Sequence, residues 1–184
     1  MANSTGLVTK ERQKNMYDFQ YWIDKLELTR HPEGGYFRET YRADETIDEN
    51  CLPERFTKSR SLATAIYFLL TIDEFSAFHR MKSDETWHFY SGYPLKLHIL
   101  TPQEGYYTKM LGNNLKPPSF QETVPAGAWL AAEVVGNKEQ NAYTLVGCTV
   151  APGFEFEDFE LADKKDLISQ FPQHRDLIES FTRT

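Results

Sequence analysis

Apolar positions along the chain follow two different periods, and the changes between them divide the sequence into three parts. Between Lys14 and Leu28 the apolar residues recur every three or four positions. This spacing predicts an amphipathic helix over residues 14–28 that packs on the body of the protein. From residue 35 onward short apolar or alternating runs follow one another, which is typical of β-strands. After Asp163, which can cap a helix, the helical spacing returns and predicts two short helices, the second beginning at Pro172.

The middle part predicts about ten strands that begin roughly 8–12 residues apart, with turn residues between them. No helix-length pattern interrupts the series, which argues against a parallel βαβ sheet. The sequence therefore predicts an all-β antiparallel sandwich or barrel with an N-terminal helix and short C-terminal helices. In the last run, phenylalanines alternate with acidic residues, and we expect a half-solvated strand there. The ten runs are 35–42, 62–70, 75–80, 85–91, 94–100, 105–111, 120–124, 128–135, 142–150 and 154–160.

The length of 184 residues fits one domain with a sizeable core. Residues 1–13 are polar, and we expect them to form a flexible N-terminus ahead of a single domain over 14–184. The sequence contains no internal repeat and no low-complexity tract.

Charge and cysteine content limit the partners and the compartment. The net charge is −7, so nucleic acid and anionic membranes are not expected as partners. The N-terminus has no apolar signal-peptide region, and no long apolar run follows, so we expect a cytoplasmic protein. Cys51 and Cys148 lie far apart and form no C-x-x-C pair, which argues against a zinc–thiolate site.

Two neighbouring predicted strands carry the residues best suited to chemistry. With a period of two, His79 and Met81 share one face of the first strand, and Glu85, Trp87 and Phe89 share one face of the second. If both faces point into a barrel, the imidazole and the carboxyl group meet in an apolar, aromatic-lined cavity. Burial there would perturb the proton affinities of both groups, as acid–base catalysis requires.

Other polar residues are less clearly placed by the pattern. His88 has the opposite parity from Glu85 and faces outward unless a β-bulge changes the register. Tyr36 and Arg38 lie on a strand that could reach the pocket, the alternative being a surface pair on an edge strand. We expect His98 at the surface and His31 in a turn.

The same residues carry a resemblance to a known family. The spacing H-x-M-x-x-x-E-x-x-x-x-x-x-G from His79 to Gly92 resembles the first cupin motif, and PAGAWL at 125–130 resembles the second, P-x-G-x-x-H. The phrases HPEGGYFRETYR at 31–42 and YTLVGCTVAPGFEFEDFELA at 143–162 are similar to cupin family 5, a domain of unknown function. The resemblance covers about residues 31–181. It implies a double-stranded β-helix, or jelly roll, that is usually a homodimer.

The resemblance also indicates what to expect of a metal. Metal-binding cupins take two histidines and a glutamate from the first motif and a histidine from the second. His79 and Glu85 match this set, whereas Met81 and Leu130 stand where the other two histidines would be. We therefore expect no cofactor. The alternative is a divalent metal ion for which His79 and Glu85 are two of the ligands.

A second comparison is with the dTDP-4-dehydrorhamnose 3,5-epimerases, metal-free jelly-roll dimers that use a strand histidine as general base. Residues 33–39 are similar to their phrase D-x-R-G-x-F-x-E, with Gly34 in place of the arginine that helps hold the nucleotide diphosphate. The comparison implies related acid–base chemistry but leaves the sugar-nucleotide substrate in doubt.

Together, the residues and the resemblance predict a cupin that binds a small polar molecule, sugar-, nucleotide- or acid-like. We expect a metal-independent isomerase, epimerase or lyase in which His79 is the base and Glu85 is the acid or orients and charge-balances the histidine. Two alternatives stay open, a metal-dependent cupin oxygenase or isomerase and a ligand-binding module without activity. The expected substrate-binding residues are Tyr36, Arg38, Met81, Trp87, His88, Phe89 and Leu130.

Overall fold

Two antiparallel β-sheets form most of the protein in the computed structural model, which describes residues 17–136 and 141–183. The described strands are β1 (Thr29–Arg30), β2 (Tyr36–Arg42), β3 (Thr46–Ile47), β4 (Arg60–Ser61), β5 (Thr64–Thr71), β6 (Phe75–Met81), β7 (Asp84–Gly92), β8 (Leu95–Thr101), β9 (Gly105–Leu111), β10 (Gln121–Val124), β11 (Trp129–Val134), β12 (Tyr143–Ala151) and β13 (Phe159–Leu161). The first sheet has the order β1-β2-β5-β12-β7-β10 and the second β13-β6-β11-β8-β9, while β3 and β4 form a small ribbon. The all-β prediction is confirmed.

The helices are short and lie at the two ends of the described chain. They are α1 (Phe19–Lys25), α2 (Lys164–Gln170) and α3 (Arg175–Ser180), with 3₁₀ turns at Glu49–Cys51, Phe156–Asp158 and Pro172–His174. In the two described ranges, no helix has the length and apolar character needed to cross a membrane. Residues 1–13, expected to be flexible, lie outside the described residues, as does the start of the predicted helix over 14–28.

Helix α1 is shorter than the sequence pattern predicts, but it packs as expected. The Asp18 side chain caps it by accepting a hydrogen bond from the backbone N–H of Tyr21 at 2.8 Å. The helix ends at Lys25, and Glu27 has a φ of 53°, outside the helical region. Trp22 donates its indole N–H to the Tyr143 hydroxyl at 2.8 Å, which holds the helix against the first sheet.

The main hydrophobic core lies between the two sheets. Alternation along β7 turns Glu85, Trp87 and Phe89 inward, and all three are buried. In the antiparallel β7–β12 pair, Trp87 lies opposite Cys148, whose thiol is also buried. The inward side chains of β8 and β11 complete this core from the other sheet.

The C-terminal helices cover the outer face of the second sheet. Asp163 caps α2, its carboxylate accepting hydrogen bonds from the backbone N–H groups of Lys165 and Asp166, as the sequence predicts. Leu167 and Ile178 of these helices are fully buried in a second apolar cluster.

The expectation of a surface position for His98 is wrong. The imidazole lies beneath this cover, where it hydrogen-bonds the Tyr106 hydroxyl at 2.8 Å and the Glu133 carboxylate at 3.1 Å.

The segment over residues 154–160 departs from the prediction of a half-solvated strand. Only its last part pairs in a sheet, as β13, because Phe156–Asp158 forms a 3₁₀ turn. Asp158 is buried, and both of its oxygens accept hydrogen bonds from the buried Arg60 guanidinium, at 2.6 and 2.8 Å. This ion pair holds the segment over one end of the barrel.

Candidate functional site

A cavity of about 90 Å³ lies between the two sheets, enough for several water molecules or a small ligand. We call it the barrel cavity. His79 enters it from β6 in the second sheet, and Glu85 and Trp87 enter from β7 in the first sheet. The structure thus brings the two residues singled out for acid–base chemistry to the same cavity.

The His79 ring is held in one orientation by its own strand. Its Nδ1 atom lies 2.8 Å from the carbonyl oxygen of Ala77. A carbonyl only accepts hydrogen bonds, so Nδ1 carries the proton and the neutral ring keeps a lone pair on Nε2. Burial lowers the pKa of His79, although the nearby Glu85 and the Ala77 carbonyl partly offset this effect. The ring is therefore neutral at pH 7, with Nε2 available as a base.

Glu33 and His31 belong to the site as well, although the sequence pattern did not assign them to it. They lie between β1 and β2, and both line the cavity. The Glu33 atom Oε2 lies 3.4 Å from Nε2 of His79 and 3.4 Å from Nδ1 of His31. Ser76 donates its hydroxyl to Oε1 of Glu33 at 2.8 Å. Burial raises the pKa of Glu33 to about 8, against opposing effects of Ser76 and Arg183. Burial, and then the charge of His79, lower the pKa of His31 to about 4.

Two glycines allow the chain to fold this carboxyl group inward. Gly34 and Gly35 have φ values of 118° and 73°, a region that side chains disfavour. A Cβ atom on Gly34 would lie only 2.3 Å from the carbonyl oxygen of Phe75. Arg183 donates from Nε to the Glu33 carbonyl at 3.2 Å, which ties the loop to the C-terminus. In the sequence, the Gly-Gly pair within HPEGG was the feature that indicated a close approach of this loop to another part of the backbone.

Glu85 lies on the opposite sheet from His79. Trp87 donates its indole N–H to Oε2 of Glu85 at 2.8 Å, and the Cys148 thiol is also hydrogen-bonded to this carboxyl group. Burial raises the pKa of Glu85 to about 7. The positive charge that His79 can carry opposes this shift, and the charge of Glu33 adds to it. A large share of Glu85 is therefore a neutral carboxylic acid at pH 7, able to donate a proton.

Of the expected substrate-binding residues, Met81 and Trp87 line the barrel cavity, but Tyr36 and Arg38 do not. The reason is strand parity, because Phe37 between them is the residue that faces inward. Tyr36 packs with the α1 cluster, and Arg38 pairs with Glu27 at 3.0 Å.

Three more of these residues lie away from the cavity. His88 faces outward, where it hydrogen-bonds the Thr149 hydroxyl at 3.0 Å and the Gln121 side chain at 2.9 Å. Phe89 is part of the core between the sheets. Leu130 lies opposite His79 on β11 and lines a small separate gap behind the imidazole.

The site lacks the ligand pattern of the metal-binding cupins. Across residues 17–136 and 141–183, no three His, Cys, Asp or Glu side chains are grouped to hold one. Met81 offers only a soft thioether, and Leu130 offers no ligand atom.

Comparisons with known proteins agree with this architecture. Residues 20–162 match the family Cupin_5, described as cupin superfamily (DUF985). A hypothetical protein from Leishmania major is 34% identical with a TM-score of 0.81, covering 91% of this chain and 100% of that one. Protein SO0799 from Shewanella oneidensis is 34% identical with a TM-score of 0.80, covering 91% and 99%. The uncharacterized yeast protein YML079W (Saccharomyces cerevisiae) is 28% identical over 165 residues, covering 80% of this chain and 76% of that one.

Proposed function

The chain belongs to the Cupin_5 family of the cupin superfamily, and we propose that its barrel cavity binds a small polar molecule and transfers protons on it. The reaction class is isomerisation, epimerisation or elimination without a metal. One observation carries the proposal: the buried His79, whose Nδ1 lies 2.8 Å from the Ala77 carbonyl oxygen, shares the cavity with the buried carboxyl groups of Glu33 and Glu85. A base and an acid that coexist at pH 7 are what proton transfer at carbon requires.

In the proposed reaction, Nε2 of His79 removes a proton from a carbon next to a carbonyl group of the substrate. Glu85 donates its proton to the carbonyl oxygen from the opposite sheet, so an enol forms and no net charge is left on the substrate. The imidazolium formed on His79 is stabilised by the developing Glu85 carboxylate and by Glu33, whose Oε2 lies 3.4 Å from Nε2. In an isomerisation of an α-hydroxy carbonyl compound, His79 returns its proton to the former carbonyl carbon and the neighbouring hydroxyl gives its proton to Glu85. In an epimerisation, a water molecule protonates the original carbon from its opposite face, His79 neutralises the hydroxide that is formed, and the enol returns its proton to Glu85.

The size of the catalytic effect follows from the groups available. General acid–base catalysis increases the reaction rate by roughly 10²–10⁴-fold. Positioning of the substrate and electrostatic stabilisation in the barrel cavity must supply the rest. Glu33 is a positioning residue in this scheme, because it acts on the histidine and not on the substrate.

Deuterium incorporation tests the proposal even when the product is unidentified, because exchange at carbon changes the mass of the substrate itself. The protein is incubated in D₂O with a panel of aldoses, ketoses, hydroxy acids, keto acids and nucleotide sugars, and mass spectrometry follows the exchange. We expect exchange in one compound class with the wild-type chain and its loss in His79→Gln. His88→Gln is the matched control, because it alters a histidine on the outer face of the next strand, β7, that does not line the barrel cavity.

Two outcomes would contradict the proposal. If a panel compound binds but never exchanges, the cavity is a ligand-binding module. If exchange requires an added divalent ion and disappears with EDTA, the metal-dependent alternative holds.

We also propose that the protein acts as a homodimer, which the family resemblance supports, and that it works in the cytoplasm. Size-exclusion chromatography with light scattering on the untagged chain tests the dimer, and a monomeric mass would contradict it. Cell fractionation tests the compartment.

A further inference from the structure

The entrance to the barrel cavity is formed by a compact group of charged and aromatic side chains, which we call the mouth. Its members are Glu39 and Arg42 of β2 together with Phe154, Glu155 and Phe156 of the segment after β12. Each of the three charged side chains is between about a third and half exposed, at 35% for Arg42, 41% for Glu39 and 47% for Glu155. These side chains belong to the part of the cavity lining that is exposed to solvent.

Arg42 is the one guanidinium or ammonium group among the described side chains that line the cavity, and its donors are already engaged. Its Nε and Nη2 donate to the two oxygens of Glu39, at 3.1 and 2.8 Å. Its Nη1 donates to Glu155 at 2.7 Å, and Nη2 also donates to the Phe154 carbonyl at 3.1 Å. Four of the five N–H groups of the guanidinium are therefore used within the protein. Little is left to hold a phosphate or a carboxylate.

Carboxyl groups outnumber this one cation around the cavity. Glu39 and Glu155 share the single charge of Arg42 at the mouth, whereas burial favours the neutral forms of Glu33 and Glu85 deeper in the cavity. The mouth itself therefore carries one more negative charge than positive charge. Such surroundings attract a cation and repel an anion.

Aromatic rings lie beside these carboxylates at the mouth. Phe156 is 57% exposed, although it lines the cavity, so burial in the core does not explain a phenylalanine at this position. The Phe154 ring lies 5.1 Å from it, between ring centroids, and Phe159 lies 6.4 Å away. Aromatic faces combined with carboxylates are the usual chemistry for recognising organic ammonium groups.

From this combination we infer that the mouth receives an organic ammonium group, so that the substrate is a small molecule carrying a protonated or methylated amine. The inference rests on the proposed function, because it names the substrate class of the same cavity. It narrows the expected sugar-, nucleotide- or acid-like ligands to those with a cationic group. The rest of the molecule extends inward to His79 and Glu85.

The experiment compares probes that differ only in charge. Ethanolamine is matched with ethylene glycol, choline with its neutral isostere 3,3-dimethylbutan-1-ol, and glycolate serves as the anion. Binding to the full wild-type chain is measured by NMR titration at pH 7. We expect each cation to bind about tenfold more tightly than its neutral partner, or more, and glycolate to bind most weakly.

Two variants test whether the tighter binding of cations arises at the mouth. Glu155→Gln removes one carboxylate and Phe156→Leu removes one ring, and both positions are exposed enough to leave the core intact. Each is expected to reduce the cation-to-neutral ratio severalfold. Glu54→Gln is the matched control, because it removes an exposed carboxylate that does not line the cavity. Circular dichroism verifies the fold of each variant.

Equal affinities for charged and neutral probes, tighter binding of glycolate, or no binding of any probe would overturn the inference. An unchanged preference in both mouth variants would overturn it too. Its failure is distinguishable from failure of the proposed function. Deuterium exchange on a neutral or anionic compound would refute the ammonium site alone, whereas cation binding without exchange on any amine would refute the catalysis alone.

Discussion

The Glu33 atom Oε2 lies 3.4 Å from Nε2 of His79, and neither group is exposed to bulk water. The two residues come from different parts of the chain, a Gly-Gly loop and strand β6. Burial favours the neutral form of each, so the imidazole is a free base while the carboxyl group keeps its proton. This arrangement places an acid and a base side by side at neutral pH.

Replacement of His79 is expected to abolish proton transfer and to preserve the fold. His79→Gln removes the lone pair on Nε2, so the rate of deuterium exchange should fall by about 10²–10⁴-fold. His88→Gln should leave the rate unchanged, because that side chain faces outward against Thr149. A loss of activity equal in both variants would contradict the assignment of the base.

Glu33 should make the protein less stable as the pH rises above 7. Its pKa is raised from 4.5 to about 8 in the folded state, so the native chain holds a proton that the unfolded chain has released. Stability therefore declines from about pH 4.5 to pH 8 and is level above that. Between pH 7 and 8.5 the loss should be on the order of 1 kcal/mol, since one pKa unit corresponds to about 1.4 kcal/mol.

Urea unfolding at pH 7.0 and 8.5 measures this effect. Glu33→Gln should remove most of the decline. Glu85→Gln is the comparison, because the pKa of Glu85 is raised only to about 7 and most of its effect is complete by neutral pH. His31, with a pKa lowered to about 4, acts only below its ordinary value of 6.5. A wild-type decline that persists in Glu33→Gln would show that another group is responsible.

The ion pair between Arg60 and Asp158 should be the most costly salt bridge to break among those around the cavity. Both side chains are buried, at 1% and 4% exposure. Arg60→Met leaves the buried Asp158 carboxylate with only the Lys82 ammonium, 3.2 Å away, and should lower the free energy of unfolding by about 3 kcal/mol. Lys58→Met breaks the neighbouring exposed pair with Glu157 and should cost about 0–1 kcal/mol. Similar costs in chemical denaturation would refute the structural role of this pair.

Gly34 should tolerate a side chain less well than another glycine of positive φ. Gly34→Ala adds a Cβ atom 2.3 Å from the Phe75 carbonyl oxygen, whereas Gly105→Ala adds one with no neighbour within 4 Å. Both positions carry the cost of a positive φ, about 1–3 kcal/mol, and at Gly34 the steric clash adds to it. We expect Gly34→Ala to have the lower melting temperature. Equal melting temperatures would mean that the loop carrying Glu33 can move freely.

Local sequence patterns predicted much of the fold and two members of the acid–base cluster, His79 and Glu85. Period-two alternation correctly turned His79 and Glu85 inward, because both lie within regular strands where parity fixes the face. The cap at Asp163 follows from equally local chemistry. The family resemblance supplied the jelly-roll topology, which the periodicity alone did not determine.

The remaining parts depend on contacts between distant segments. Glu33 and His31 lie in a loop without periodicity, and only the approach of that loop to Ser76 and His79 brings them to the cavity. Asp158 is buried because Arg60, 98 residues earlier in the chain, pairs with it. His98 is buried because the C-terminal helices cover its strand. Such contacts depend on tertiary packing, so the local pattern of hydrophobic and polar residues does not predict them.

Native mass spectrometry of untagged protein, with elemental analysis of the same sample, tests the metal-free acid–base site most directly. We predict no stoichiometric divalent ion and, for any co-purified compound, a small organic mass that is lost in His79→Gln or Glu85→Gln but kept in His88→Gln. A divalent ion at one equivalent per chain that disappears in His79→Gln would contradict the metal-free acid–base site.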